Sequence, residues 1–199
     1  MDKKILWVGL ASLAIIALTA CLTILFSRSE NFRGTAYNEP FPPASNFELT
    51  RSTGEVFRLS DQRNKIVLLF FGYTFCPDVC PSTMAELNSA LNQIPDKASS
   101  VQVVFVSVDP DRDTSQTVQE YVNQFNPAFI GLSGAQTDLN KIWNDYGIFR
   151  EVVKSDSGFT TVTHTARVIL IDMDGNMRLS YAFGTPVDDI VHDLNLILK

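Results

Sequence analysis

Cysteine, histidine and tryptophan are all scarce in this chain of 199 residues, which holds three, two and two of them. Three cysteines cannot staple a chain of this length, so the core must come from apolar burial rather than from a disulfide framework. Positive charge is also short: 16 Lys and Arg stand against 22 Asp and Glu, a net charge of −6. Phosphate binding needs a basic face, so this balance argues against nucleic acid as a partner. Only 19% of the residues are charged and 45% are hydrophobic, which excludes a disordered or collagen-like chain. Gly and Pro are scattered, and no internal repeat is present.

What the amino terminus does have is Ile5 to Phe26, 22 residues without a charge, preceded by Lys3 and Lys4. As a helix this run is about 33 Å long, enough for a hydrocarbon core of roughly 30 Å. It is longer than the apolar region of a cleaved signal peptide. One transmembrane helix over residues 1–26 is therefore expected, with orientation left open because Lys3 and Lys4 are matched by Arg28 and Arg33. Leu18-Thr19-Ala20-Cys21 resembles a lipobox, the alternative being a lipoprotein anchored at Cys21. The apolar run continues past Cys21, which favours the uncleaved helix. Residues 27–44 are polar and rich in turn formers, ending in Pro40, Pro42 and Pro43, and read as a tether. A soluble domain over residues 45–199 remains, with 12 Lys and Arg against 19 Asp and Glu. That acidity makes a polybasic lipid-binding surface unsuited to it.

Within this domain Phe47–Thr50 and Val56–Leu59 flank a Ser-Thr-Gly turn and predict a hairpin. Ile66–Phe71 and Val101–Val108 are continuous apolar runs, as in strands buried on both faces. Helices are predicted from about Cys76 to Asn92, from Thr114 to Phe125, around Leu139, Ile142, Trp143 and Tyr146, and from Val187 to Leu198. Ala166–Ile171 and Met177–Phe183, joined through Asp174-Gly175, predict a second hairpin. Such alternation gives an α/β class, and the order of elements resembles the thioredoxin fold.

Chemistry concentrates at Phe71-Gly72-Tyr73-Thr74-Phe75-Cys76-Pro77-Asp78-Val79-Cys80-Pro81, where the first buried strand turns into its helix. With Cys76 as N-cap, Pro77 takes the first helical position and Asp78 meets the positive end of the dipole. A helix N-terminus lowers a thiol's pKa and favours the thiolate. Pro81 is expected to loosen the first turn by removing a ladder bond. Three residues separate Cys76 from Cys80, one more than in thioredoxin-type redox motifs. That spacing suits two thiolates on a shared soft metal ion without forbidding a disulfide.

Gly72 to Pro81 resembles the signature of the Sco/SenC family of membrane-anchored copper proteins. Val106-Ser107-Val108-Asp109-Pro110-Asp111-Arg112-Asp113-Thr114 is similar to that family's second motif, and Val162-Thr163-His164-Thr165-Ala166 to its third. The three come in family order and span essentially the whole soluble domain. Phe75 stands where some relatives carry a His. The resemblance implies a thioredoxin-like domain outside the cytoplasm, tethered to the cytoplasmic membrane, with Cys76, Cys80 and His164 as ligands of one copper ion. Thioredoxin-like folds carry a cis-proline before the hairpin; no proline occurs from Phe159 to Asp172, and His164 takes the facing position. Two thiolates and an imidazole suit Cu or Zn, and a structural zinc site would need a fourth ligand, so copper is preferred.

The remaining candidates read as structural. His192, beside Asp189 and Asp193, reads as a solvated helix residue. Asp109, Asp111 and Asp113 superficially resemble a calcium loop, but Thr114 stands where Gly is needed, and a turn capped by Asp113 or Thr114 is favoured. The implied function is that of a metallochaperone for the binuclear copper site of cytochrome c oxidase, with the oxidase's copper-bearing subunit and other copper chaperones as partners. The alternative is a thiol–disulfide oxidoreductase using the redox-active pair Cys76 and Cys80 without His164. A thiol peroxidase is disfavoured, because that family's Thr is replaced by Tyr73 or Pro77.

Overall fold

The computed structural model describes Trp7, Ser12, Leu13, residues 15–17, Thr19, residues 31–154 and residues 160–199. The chain forms two units, Met1–Asn31 and Phe32–Lys199. In the first, the described residues from Trp7 to Thr19 are helical and exposed. Among the described residues no helix is long and apolar enough to cross a membrane. The rest of the apolar run expected as a membrane helix, and Cys21, lie outside the described residues.

The described residues of the second unit form ten strands: β1 Thr35–Ala36, β2 Glu48–Thr50, β3 Val56–Arg58, β4 Ile66–Gly72, β5 Val101–Ser107, β6 Ile130–Leu132, β7 Arg150–Lys154, β8 Thr160–His164, β9 Arg167–Ile171 and β10 Met177–Ala182. Its helices are α1 Val79–Asn92, α2 Ser115–Asn123, α3 Gln136–Asp145 and α4 Val187–Ile197. Six strands form one sheet in the order β1-β10-β9-β4-β5-β6. The β4–β5 and β5–β6 pairs are parallel, and β9 runs antiparallel to β4. β2–β3 and β7–β8 are separate hairpins.

Every residue of β4 is buried, as a run without polar alternation requires when both faces are covered. Phe70 points to the α1 side, near Thr83 and Leu87, while Phe71 packs on Tyr146 at the end of α3, ring centroids 5.6 Å apart. Strand periodicity thus places helices on both faces. Parallel β4 and β5 end together, and the loops that leave them carry two of the three motifs.

Three features depart from the sequence expectations. The tether expected over residues 27–44 is, in its described part from Phe32 on, folded against the domain. β1 pairs with β10, and the Arg33 and Gly34 amides donate to the buried Asp193 carboxylate at 2.8–3.2 Å. Sequence pattern missed this because the segment is held by long-range bonds and has no periodicity of its own. The short β6 and the β7–β8 hairpin were also not anticipated, so His164 ends a strand instead of lying in a loop. Finally, α1 begins at Val79 with Asp78 as N-cap, not at Cys76. A following proline disfavours helical geometry at Cys76, and the turn closes through Cys76 N–H to the Tyr73 carbonyl at 3.2 Å. Pro81 then falls in the first helical turn, where its missing N–H costs no ladder bond, so the predicted loosening does not arise.

Candidate metal centre

Cys76 lies just ahead of α1, half-buried, and Cys80 sits in its first turn, fully buried; both are free thiols. Gly72 makes room for Cys80: a Cβ there would come within 2.9 Å of the Cys80 sulfur and 2.8 Å of the Phe105 ring. Cys76 Sγ accepts the Cys80 backbone N–H at 3.4 Å. The sulfur therefore takes the role of a capping oxygen at the helix start, and the stabilisation expected from the helix N-terminus is realised without Cys76 entering the helix.

The two thiols differ sharply. Hydrogen bonding from the Cys80 thiol, helped by the Cys80 and Asp78 backbone amides and by His164, lowers the Cys76 pKa to about 5 against the opposing effect of burial. Cys80 is pushed up, first by donating that hydrogen bond and then by burial. At neutral pH the site holds one thiolate and one thiol.

His164 stands across Tyr73 from the cysteines. Its ring meets the Tyr73 ring edge to face, centroids 5.7 Å apart at 83°. His164 Nδ1 lies 3.1 Å from the Val162 carbonyl. A carbonyl can only accept, so Nδ1 carries a proton, and in the neutral ring Nε2 is the nitrogen with the lone pair. Nε2 is buried and has no hydrogen-bond partner. A buried ring nitrogen that no protein group occupies is open to a metal ion, and the carbonyl on the other nitrogen fixes the tautomer of the neutral ring. Among the described residues no three His, Cys, Asp or Glu side chains form a closed ligating cluster. Cys76 and His164 each meet Tyr73, the first through its N–H to the Tyr73 carbonyl and the second through its ring.

The acidic motif supports this arrangement. Asp113 is buried and accepts from Thr74 Oγ1 at 2.5 Å, Thr74 N at 3.2 Å and Ser107 Oγ at 2.6 Å. It ties the cysteine loop to the end of β5, while burial raises its pKa against the effect of these donors. Arg112 pairs with buried Asp109 and donates from Nη1 to the Thr160 carbonyl at 3.0 Å. Its guanidinium lies 4.9 Å over Phe75 and 5.7 Å over Tyr73. It thereby links the cysteine loop to the hairpin that carries His164. The helix that follows is capped by Thr114, whose hydroxyl accepts the Thr117 N–H at 3.1 Å. The turn reading of the acidic motif therefore holds over the calcium loop. His192 bonds to Asp193 on α4, within the network that holds Arg33 and Gly34.

Tyr73, Arg112 and Asp113 were not singled out from the sequence as site residues. A phenol directly after a buried strand, and an Arg between two aspartates at the end of the next, are the signals that point to them.

Comparison with known proteins places this geometry. The SCO1/SenC family model matches residues 35–199. A SCO2-like protein of Rickettsia prowazekii is 30% identical over 157 residues, covering 78% of this chain and 77% of that protein. Apo Sco1 of Thermus thermophilus is 35% identical with a TM-score of 0.76, covering 85% of this chain and 99% of its own. Copper-bound ScoI of Bradyrhizobium japonicum is 33% identical with a TM-score of 0.71, covering 78% and 99%. The thioredoxin-like core, the paired thiols at the start of α1 and a match running from the first strand to the last residue have one account: this chain belongs to the SCO1/SenC family.

Proposed function

We propose that this domain is a copper metallochaperone, which carries one copper ion on Cys76, Cys80 and His164 and delivers it to the binuclear copper site of cytochrome c oxidase. The observation that carries this reading is the buried, partnerless His164 Nε2 beside a preformed Cys76 thiolate. Soft sulfur donors with one imidazole suit copper, and ScoI of Bradyrhizobium japonicum, with the same fold, has copper bound. Copper here is cargo, and its partners are the oxidase's copper-bearing subunit and the chaperones that supply the ion. The domain works outside the cytoplasm, held at the cytoplasmic membrane by residues 5–26. The length of that uncharged run supports this placement.

A second reading rests on the inequality of the two thiols. A half-exposed thiolate at Cys76 with a buried, protonated Cys80 behind it is the arrangement of a thiol–disulfide reductase, Cys76 attacking and Cys80 resolving. His164 separates the two. The reduced domain is loaded with Cu(I) or Cu(II), and metal content and visible absorption are measured for the wild type and for His164→Ala. The substitution is expected to abolish copper retention and oxidase maturation while leaving reaction with a disulfide reporter intact. Normal oxidase assembly in cells carrying only His164→Ala gives first place to the reductase.

A further inference from the structure

Among the described residues every phenylalanine is buried or half-buried except Phe75, Phe149 and Phe183, which are 58%, 59% and 47% exposed. All three stand at the end of the sheet where Cys76 and His164 meet Tyr73. Phe75 directly precedes Cys76, with the Arg112 guanidinium 4.9 Å from its ring. Phe149 is bonded in both directions to the residue after His164: its N–H donates to Thr165 Oγ1 at 3.0 Å, and its carbonyl accepts the Thr165 N–H at 3.1 Å. Phe183 follows β10, whose last residue Ala182 pairs with Arg167. It lines a small cavity together with Thr83 of α1 and Ala166. The rim around these rings is acidic. Asp78 lies between the cysteines, Asp111 beside Arg112, and Glu151 opposite Thr163 in the hairpin; all three are exposed. The nearby arginines turn inward, Arg112 to Asp109 and the Thr160 carbonyl, Arg150 to the Val108 carbonyl and the Trp143 ring. Lys154 pairs with Thr160, at the end of the hairpin away from His164.

Exposed apolar side chains gathered at one place mark a contact surface, and aromatic residues anchor the centres of protein interfaces. We propose that Phe75, Phe149 and Phe183 are the anchors by which this domain docks the protein it exchanges copper with, and that this partner presents an apolar patch ringed by Lys or Arg. The partner's identity rests on the copper reading; the face itself rests on the three rings and their acidic rim. An ion held at Cys76 passes directly to another protein only when that protein's ligands come within bonding reach, so the protein that takes it must cover Phe75. Charge decides against other occupants. A second copy would set like carboxylates against Asp78, Asp111 and Glu151, and an anionic lipid surface would be repelled in the same way.

The test titrates the full chain against the metal-free copper-bearing subunit of the oxidase, both in detergent micelles. Phe149→Ser and Phe183→Ser, which replace no proposed ligand, are each expected to raise the Kd about tenfold. Their thermal midpoints and copper retention are expected to match the wild type. Asp111→Lys combined with Glu151→Lys is expected to slow association about fivefold at low ionic strength and to have no effect near 1 M salt, where the screening length is about 3 Å. Phe variants that bind within twofold of wild type overturn the docking face, as does a wild type that holds copper and does not bind the subunit. Faster association of the Lys variant overturns the basic rim. A concentration-dependent dimer of the wild type that Phe149→Ser abolishes gives the face to a second copy and overturns the proposal. Broadening of the three phenylalanine ring signals by spin-labelled lipid in nanodiscs gives it to the membrane and does the same. A wild type that retains no copper removes the proposed function, while the titration still decides the face.

Discussion

The unequal thiols make a quantitative prediction about acid reactivity. Cys76 has a pKa of about 5 where an ordinary thiol has 9.0. At pH 7 that raises its thiolate fraction about 100-fold, but a thiolate four units less basic attacks about 40–100 times more slowly. The two effects nearly cancel, and a rate measured only at neutral pH looks unremarkable. At pH 5.5 they do not. An ordinary thiol is then about 0.03% thiolate and Cys76 about three-quarters, a ratio near 2,400, which leaves a net advantage of roughly 25–60-fold. The assay is stopped-flow reaction with an aromatic disulfide from pH 4 to 9 on the reduced domain. One fast thiol is expected, since Cys80 is fully buried. Its rate should be flat above about pH 6 and lost through pH 5 as the thiolate protonates. Cys80→Ala removes the leading cause of the shift and should move the midpoint upward, while Cys80→Ser, which keeps a donor, should move it less. A rate that climbs tenfold per unit from pH 5.5 to 8 refutes the preformed thiolate.

Three further substitutions test the scaffold. Asp113→Ala strands three donors from Thr74 and Ser107; a cost of about 3 kcal/mol, or roughly 6–12 °C in the thermal midpoint, is expected by calorimetry. A shift under 2 °C removes Asp113 as the tie between the loops. Arg112→Ala leaves buried Asp109 unpaired and frees Thr160; about 3 kcal/mol is lost, and amide exchange should accelerate in β7–β8 more than in β4–β5. Equal acceleration in both speaks against the hairpin link. Gly72→Ala places a methyl 2.9 Å from the Cys80 sulfur; it should cost about 1–3 kcal/mol and weaken copper retention although no ligand is replaced, as equilibrium dialysis would report.

The parts of this fold that were legible from sequence are those whose burial is nearly complete. β4 and β5 announce themselves because a strand covered on both faces has no polar alternation, and α2, α3 and α4 because one face of each meets the core. β7 escaped notice for the opposite reason: four of its five residues are exposed, so neither alternation nor an apolar run marks it. The start of α1 was misplaced because two prolines suit a helix start at either of two registers, and the choice between them is made by the Tyr73 carbonyl. The site divides the same way. Cys76 and Cys80 stand out by residue type and spacing, and His164 by the family resemblance of the motif around it. Tyr73, Arg112 and Asp113 act through contacts that only the meeting of β4, β5 and β8 creates.

The segment around β1 has a consequence for how this domain avoids pairing with its own copies. Without β1, β10 would end a five-stranded sheet as an open row of donors and acceptors, which invites pairing between molecules. Residues 32–44 cover that row in pieces. Two residues of β1 pair with Leu179 and Ser180, Tyr37 donates to the Arg178 carbonyl, and Met177 and Gly175 bond to Pro42 and Ala44. The cover is itself a poor template, since Pro40, Pro42 and Pro43 have no amide to offer a newcomer. A chain cut at Ser45 would lose this selvedge together with both amides that satisfy Asp193. It would carry every proposed copper ligand and still tend to associate edge to edge.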